Sequence, residues 1–307
     1  MPKLSAIALA PESTRAWLGD AVEQGGATIV HASLASGLVW TDPADPEGLG
    51  AVLDAQPGIE WVQLPWAGIE PYVDVVRAHA ERTWTCGKGV YAEPVAEHAL
   101  ALALAGFRQL GTYARATSWT GPLGANLLGA KVVVLGGGGI TRSLLRLLVP
   151  FGCAVTVVRR SPEPMDGASR VVGLSSLDEA LTGARLVVLA LALTPETTGI
   201  IDRRRLELLA TDGWLVNVAR GAHVVTDDLV PVLAAGRIGG AALDVTDPEP
   251  LPAEHPLWLE RGCIITPHTA NTPRMAVPLL SERVRENVRR RVAGEPLLGL
   301  VDPEAGY

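Results

Sequence analysis

Short apolar runs alternate with longer amphipathic stretches along the first hundred residues, and this rhythm limits the possible folds more than any other feature. The runs "LSAIAL", "ATIV", "GLVW", "WVQL" and "TWTC" are separated by "TRAWLGDAVEQ", "LGAVLDA" and "VDVVRAHA". Continuous apolar runs rich in β-branched residues suit strands buried on both faces, as a parallel sheet covered by helices requires. A second series opens at Lys131, where "KVVVLG", "AVTVV", "RLVVLAL", "WLVNV", "GAALDV" and "CIITP" read as strands. The fold class is α/β, with two doubly wound parallel-sheet domains. Between the two series "VAEHALALALAGFRQLGTYARA" reads as one helix, long enough to cross between domains. Residues 1–97 and 273–307 are expected to form one domain and residues 98–272 the other. In that division the Arg-rich "VPLLSERVRENVRRRVAG" is a helix returning to the first domain with a solvated charged face.

Composition narrows the function classes. With 307 residues, 48% of them hydrophobic, the chain has material for two cores. A formal net charge of −7 argues against a nucleic-acid partner. No N-terminal run has the flanks of a signal peptide or the length of a membrane span, so a cytoplasmic protein with no membrane partner is expected. Cys86, Cys153 and Cys263 are too scattered for a disulfide framework or a metal site, and read as reduced structural thiols.

The stretch "VVVLGGGGITRSLL", Val132 to Leu145, carries the first functional signal. A strand running into glycines and then a helix is the geometry that receives a pyrophosphate. Gly136 makes the sharp turn, Gly138 lets the backbone approach the phosphates, and the helix N-terminus supplies N–H groups and a positive dipole end. Thr141 stands where a third glycine would pack the helix against the strand. The next strand ends in Arg159, Arg160 and Ser161, where a carboxylate would bind the ribose of NAD. Two guanidinium groups and a hydroxyl suit a 2′-phosphate, so NADP is the expected cofactor and NAD the alternative. The same arginines also read as solvated loop residues.

Three later segments, "NVARGAHVVTDDL", "ALDVTDPEPLP" and "ITPHTAN", add acid–base and anion-binding chemistry. Together with "VLGGGGI", "TPETTG", "AGIE" and "VAEHALAL", they make the chain resemble the D-isomer-specific 2-hydroxyacid dehydrogenase family over essentially its whole length. "GLVW" with Trp40 resembles its glyoxylate/hydroxypyruvate reductase branch, although Trp40 equally reads as core.

The resemblance implies a flavodoxin-like substrate domain and a Rossmann-type cofactor domain, with the active cleft between them. Arg220 matches the arginine that grips the substrate carboxylate and polarises the 2-oxo group. His268 matches the proton donor, and Glu249 its carboxylate partner, which holds the ring and favours imidazolium. The backbone amides of Ala67, Gly68 and Ile69 would cradle the carboxylate. Cofactor contacts fall at Gly136, Gly138, Gly139 and Ile140, then at Arg159, Arg160 and Ser161. Further along they fall at Leu191, Ala192 and Thr197, then at Val218, Ala219 and Asp244. Asp244 reads equally well as a cap after its strand.

The implied reaction is hydride transfer from NADPH to a small 2-oxoacid such as glyoxylate or hydroxypyruvate, giving a D-2-hydroxyacid. No basic cluster near "AGIE" suggests a phosphorylated substrate. A homodimer formed through the cofactor domains is implied as well. The rival reading is a dinucleotide-sensing or corepressor-like binding protein on the same scaffold. Having Arg220, Glu249 and His268 together favours the enzyme, since a sensor needs no paired acid. The other histidines, His31, His79, His98, His223 and His255, make no comparable case.

Overall fold

A computed structural model describes residues 6–304, which fall into two compact units. One unit runs through Tyr91 and resumes at Thr272; the other is Ala92–Asn271. The first contains β1 (Ala6–Ala10), β2 (Thr28–Ile29), β3 (Gly37–Trp40), β4 (Trp61–Gln63) and β5 (Thr83–Thr85). Leu4 and Ser5 of the expected first strand lie outside the described residues. The strands are parallel in the order β2-β1-β3-β4-β5, the flavodoxin order.

Helices α1 (Arg15–Gln24), α2 (Pro46–Ala55) and α3 (Val73–Ala78) connect these strands. Asp45 starts α2 by accepting the Gly48 N–H at 2.8 Å, and Pro46 occupies the first turn, where its missing N–H costs nothing. The C-terminal helix, Pro273–Ala293, packs on α1. It places Leu280, Val284 and Val288 among Ile7, Leu18, Val22 and Trp61. Its arginines are largely ion-paired: Arg289 and Arg290 both reach Glu286, and Arg291 reaches Glu60. Trp40 is a core residue, 5% exposed, whose indole N–H donates to the Asp42 carbonyl.

The second unit holds seven parallel strands: β6 (Lys131–Leu135), β7 (Ala154–Val158), β8 (Arg170–Val172), β9 (Leu186–Leu189), β10 (Trp214–Asn217), β11 (Gly240–Leu243) and β12 (Cys263–Ile265). Their order is β12-β11-β10-β9-β6-β7-β8. The strand β8 is absent from the sequence reading; at three residues on the sheet edge it buries too little to leave a pattern. Val132 to Leu135 are wholly buried, each contributing about 1.5–3 kcal/mol relative to exposure.

Six helices accompany this sheet: α4 (Ala92–Phe107), α5 (Leu110–Ala114), α6 (Gly139–Leu148), α7 (Leu177–Leu181), α8 (Arg203–Leu206) and α9 (Thr226–Ala234). The helix expected to run unbroken from Val95 is interrupted at Gln109, whose φ of 53° lies in the left-handed region. Helix α4 packs against α6, β10 and β11, burying Val95, Ala96, Ala99, Leu102 and Phe107 and leaving Leu100 and Leu104 half-buried.

Because every strand of this sheet is parallel, all carboxyl ends emerge at one edge. The chain reverses its winding direction between β6 and β9, so that edge has a crevice beside the turn after β6. The segments leaving β6, β7, β9, β10, β11 and β12 begin at Gly136, Arg159, Ala190, Val218, Asp244 and Thr266. These positions carry nearly all the expected site residues.

Candidate active site

The turn after β6 is built to bring backbone close to a ligand. Gly136 has φ 106°, and a Cβ there would collide with the Ala190 carbonyl oxygen, so no other residue lets the turn lie against the segment leaving β9. Gly138 is the N-cap of α6 and no side chain caps it. Gly139 and Ile140 open the helix, whose first N–H groups have no intrahelical acceptor and favour an anion. Thr141 is fully buried and its hydroxyl donates to the Gly136 carbonyl at 2.8 Å. A larger residue than glycine thus ties the helix to the turn. A dinucleotide pyrophosphate fits this arrangement.

At the end of β7, Arg159 lies along the glycine turn: a Cβ on Gly137 would come within 2.8 Å of its Cδ and Nε. Arg160 and Ser161 follow, exposed at the same edge. After β9, Leu191 and Ala192 lead into a turn stabilised by Thr197, whose hydroxyl donates to the Ala192 carbonyl at 2.9 Å. The Thr197 hydroxyl oxygen in turn accepts the Thr194 N–H at 2.8 Å.

Val218, Ala219 and Arg220 follow β10. Asn217, at the strand's last position and wholly buried, donates to the Arg220 carbonyl at 2.8 Å and accepts the Ala219 N–H at 3.0 Å. His223 is also wholly buried, with Nδ1 2.9 Å from the Arg220 carbonyl and Nε2 3.3 Å from that of Ala192. A Cβ on Gly221 would strike the Thr246 carbonyl, so the turn after Arg220 lies directly against the segment leaving β11. Arg220 itself is half-buried, and its Nη1 donates to the Ala219 carbonyl at 2.8 Å. Its backbone is fixed from two sides. Asn217 and His223 do this work, and neither stood out in the sequence, because their partners are main-chain atoms.

His268 follows β12 with φ 51°, a conformation that costs an L-residue energy unless the surroundings impose it. Its N–H donates to the carbonyls of Asp244 (2.8 Å) and Thr266 (3.0 Å). Its Nδ1 lies 2.7 Å from Glu249 Oε1, with the two side chains 54% and 43% exposed. A carboxylate only accepts, so Nδ1 carries the proton and Nε2 is the nitrogen available to a ligand. When the ring is imidazolium, Nε2–H is a proton donor.

Asp244, the first residue after β11, makes the bonds of a cap. Its side chain is 1% exposed. Oδ1 accepts the Thr266 hydroxyl at 2.6 Å and the Thr269 N–H at 2.9 Å, and Oδ2 accepts the Ala270 N–H at 3.0 Å. Burial pushes its carboxyl pKa up, but hydrogen bonds from His98, Thr266, Thr269 and Ala270 outweigh that and bring it down to about 2. The ionised carboxylate clamps both sides of the loop carrying His268, as a cap does.

In the other unit, Ala67, Gly68 and Ile69 form the turn beyond β4, with Ala67 exposed and the Ile69 side chain 1% exposed as its anchor. Burial pushes the Cys263 thiol up to about 12, and the Cys86 thiol also upward, so neither is a nucleophile. Among the described residues no group of three or more potential ligands could hold a metal ion, and no helix is long and apolar enough to cross a membrane.

Residues 98–270 match the NAD binding domain of the D-isomer specific 2-hydroxyacid dehydrogenases. An uncharacterized protein in the proB 3′ region of Corynebacterium melassecola is 38% identical over 83% of this chain and 86% of its own length. Glyoxylate/hydroxypyruvate reductase A of Serratia proteamaculans is 37% identical over 57% of this chain, and the match spans 55% of that enzyme. A D-isomer specific 2-hydroxyacid dehydrogenase from Xanthobacter autotrophicus Py2, solved with NADPH and MES, superposes with a TM-score of 0.80 at 26% identity over 99% of both chains. The paired turns at the carboxyl edge, the strand orders of both sheets and these matches agree: the chain belongs to the D-isomer specific 2-hydroxyacid dehydrogenase family and is an oxidoreductase.

Proposed function

We propose that the protein reduces a small, unphosphorylated 2-oxoacid of the glyoxylate or hydroxypyruvate type to its D-2-hydroxyacid, with NADPH as the preferred reductant. The observation that carries this reading is the 2.7 Å pairing of His268 with Glu249 at the carboxyl edge of a dinucleotide-binding sheet. When bound, the reduced nicotinamide supplies the hydride. Everything else falls to the chain. The planar fork of Arg220 takes the substrate carboxylate and draws charge toward the 2-oxo oxygen, and the amides of Ala67, Gly68 and Ile69 contribute further donors to the carboxylate. Nε2 of His268 gives its proton to the oxygen as alkoxide character develops, while Glu249 keeps the ring oriented.

The NADPH preference rests on Arg159 beside the glycine turn, with Arg160 and Ser161 next to it and no carboxylate for ribose hydroxyls. The Serratia relative's name and the NADPH bound to the Xanthobacter neighbour support the substrate class and the cofactor. A homodimer acting in the cytoplasm completes the reading. The test is a panel of 2-oxoacids assayed by oxidation of NADPH or NADH. Highest kcat/KM for glyoxylate or hydroxypyruvate with NADPH is expected. Turnover only with bulky or phosphorylated oxoacids would overturn the substrate class.

A further inference from the structure

The left-handed backbone of His268 is imposed by its surroundings, and the clamp that imposes it extends one residue further than the site. His98, on α4, places Nε2 3.1 Å from Thr266 Oγ1 and 3.2 Å from Asp244 Oδ1. Its partner Thr266 is 168 residues away in sequence. The proton positions follow from the partners. Asp244 only accepts, and the Thr266 hydroxyl gives its one proton to Asp244 at 2.6 Å. Thr266 is left with lone pairs toward the ring. The His98 Nε2 therefore carries hydrogen, shared between a hydroxyl oxygen and a carboxylate oxygen.

We infer that His98 is a positioning residue: its Nε2–H orients the Thr266 hydroxyl and the Asp244 carboxylate so that they hold the Thr266–Ala270 loop, and with it His268, in the arrangement that pairs with Glu249. The chain of contacts is continuous. His98 reaches Asp244 and Thr266, Asp244 accepts the Thr269 and Ala270 amides, and the Asp244 and Thr266 carbonyls accept the His268 N–H. His98 is 22% exposed and Asp244 1%, so the charge-assisted bond is shielded from water where it meets the carboxylate. Without this donor Thr266 is free to rotate its hydroxyl away. The buried carboxylate then loses two partners together, and the loop loses what keeps a non-glycine residue at positive φ.

This inference rests on the proposed role of His268 as proton donor, and two readouts keep the two apart. The first is hydrogen exchange at the Thr269 and Ala270 amides, which needs no substrate. The second is the split between kcat and KM. In His98→Leu, both amides should exchange about tenfold faster and kcat should fall about tenfold, the scale of one lost hydrogen bond to a charged group. KM for NADPH should stay within about twofold, since the glycine turn is untouched. His98→Gln presents an amide N–H at a similar reach and should restore both readouts. Thr266→Val, isosteric and lacking the hydroxyl, should reproduce His98→Leu.

Unchanged amide exchange in both His98→Leu and Thr266→Val would overturn the inference. So would a His98→Gln variant as impaired as His98→Leu, because ring packing and not the donor would then be what matters. If the unaltered protein reduces no 2-oxoacid, the proposed function fails, yet the exchange comparison still decides whether His98 sustains the clamp.

Discussion

At the scale of single residues, the site depends on side chains whose chemistry is ordinary and whose placement is not. His268 and Glu249 are both about half exposed, so their ion pair adds little to stability. Its value is geometric: Glu249 holds Nδ1, and the outward Nε2 keeps one orientation. Replacing His268 by alanine should lower kcat by roughly a hundredfold or more while NADPH binding persists, the scale of a lost general acid. Stopped-flow turnover combined with NADPH fluorescence titration measures both, and near-normal turnover would remove His268 from the reaction. Asp244 makes the opposite contribution, to stability. Its folded pKa of about 2 lies below the ordinary 3.8, so its stabilisation is complete above the ordinary value and is lost as pH falls toward 2. The shift corresponds to on the order of 2 kcal/mol, about half of it gone by pH 3. Urea unfolding of the parent and Asp244→Asn should show a stability gap that narrows between pH 6 and pH 3; a constant gap would mean that the carboxylate charge is not what holds the loop.

At the scale of elements, every strand except the short edge strand β8 was legible in the sequence, and the connections between partners were not. Runs such as "KVVVL" and "WLVN" are buried on both faces, and burial of that kind leaves a continuous apolar signature. The interruption after α4 left no such mark, because the left-handed residue there is Gln109, while the flanking Gly106 and Gly111 lie within the helices on either side. The clamp around His268 was hidden for a different reason. His98 and Thr266 meet only after a full sheet has been wound between them, and no local pattern encodes a contact of that span. The glycine turn was readable at Gly136 and Gly138, but the part played by Thr141 emerged only from its bond to the Gly136 carbonyl.

The same turn carries a prediction about cofactor choice. With Arg159 along the turn and Arg160 beside it, a partly solvated contact to a 2′-phosphate of about 1.5–3 kcal/mol would give NADPH a roughly tenfold to hundredfold advantage over NADH. Replacing both arginines by alanine should erase most of that advantage by weakening NADPH alone. Calorimetric titration of the two cofactors against both proteins measures it, and an unmodified protein that binds NADH as tightly as NADPH would return the assignment to NAD.

At the scale of the whole molecule, one segment of the larger unit exposes several large apolar side chains together. Within the segment from Leu110 to Leu128, Leu110, Leu123 and Leu128 are 53%, 52% and 60% exposed, and Trp119 is fully exposed. The segment is nevertheless ordered on α5: the Tyr113 hydroxyl accepts the Leu123 N–H at 2.5 Å and lies 3.4 Å from the Gly121 carbonyl. An ordered stretch that holds large apolar side chains in water has the character of an interface core, where tryptophan is the residue most often decisive. Most apolar residues of α4 already pack on α6, β10 and β11, which leaves Leu100 and Leu104 half-buried and Ala101 exposed on that helix. The proposed homodimer is therefore expected to bury this segment. Light scattering at micromolar concentration should give twice the chain mass of 32.2 kDa for the parent protein. Trp119→Asp should weaken association by about 2 kcal/mol or more, at least thirtyfold in Kd, and shift the mass toward that of a single chain. The fold of each unit should survive, since Trp119 buries nothing within its own chain. A parent protein that stays monomeric would refute the dimer, and a Trp119→Asp variant with an unchanged dimer mass would place the interface elsewhere on the unit.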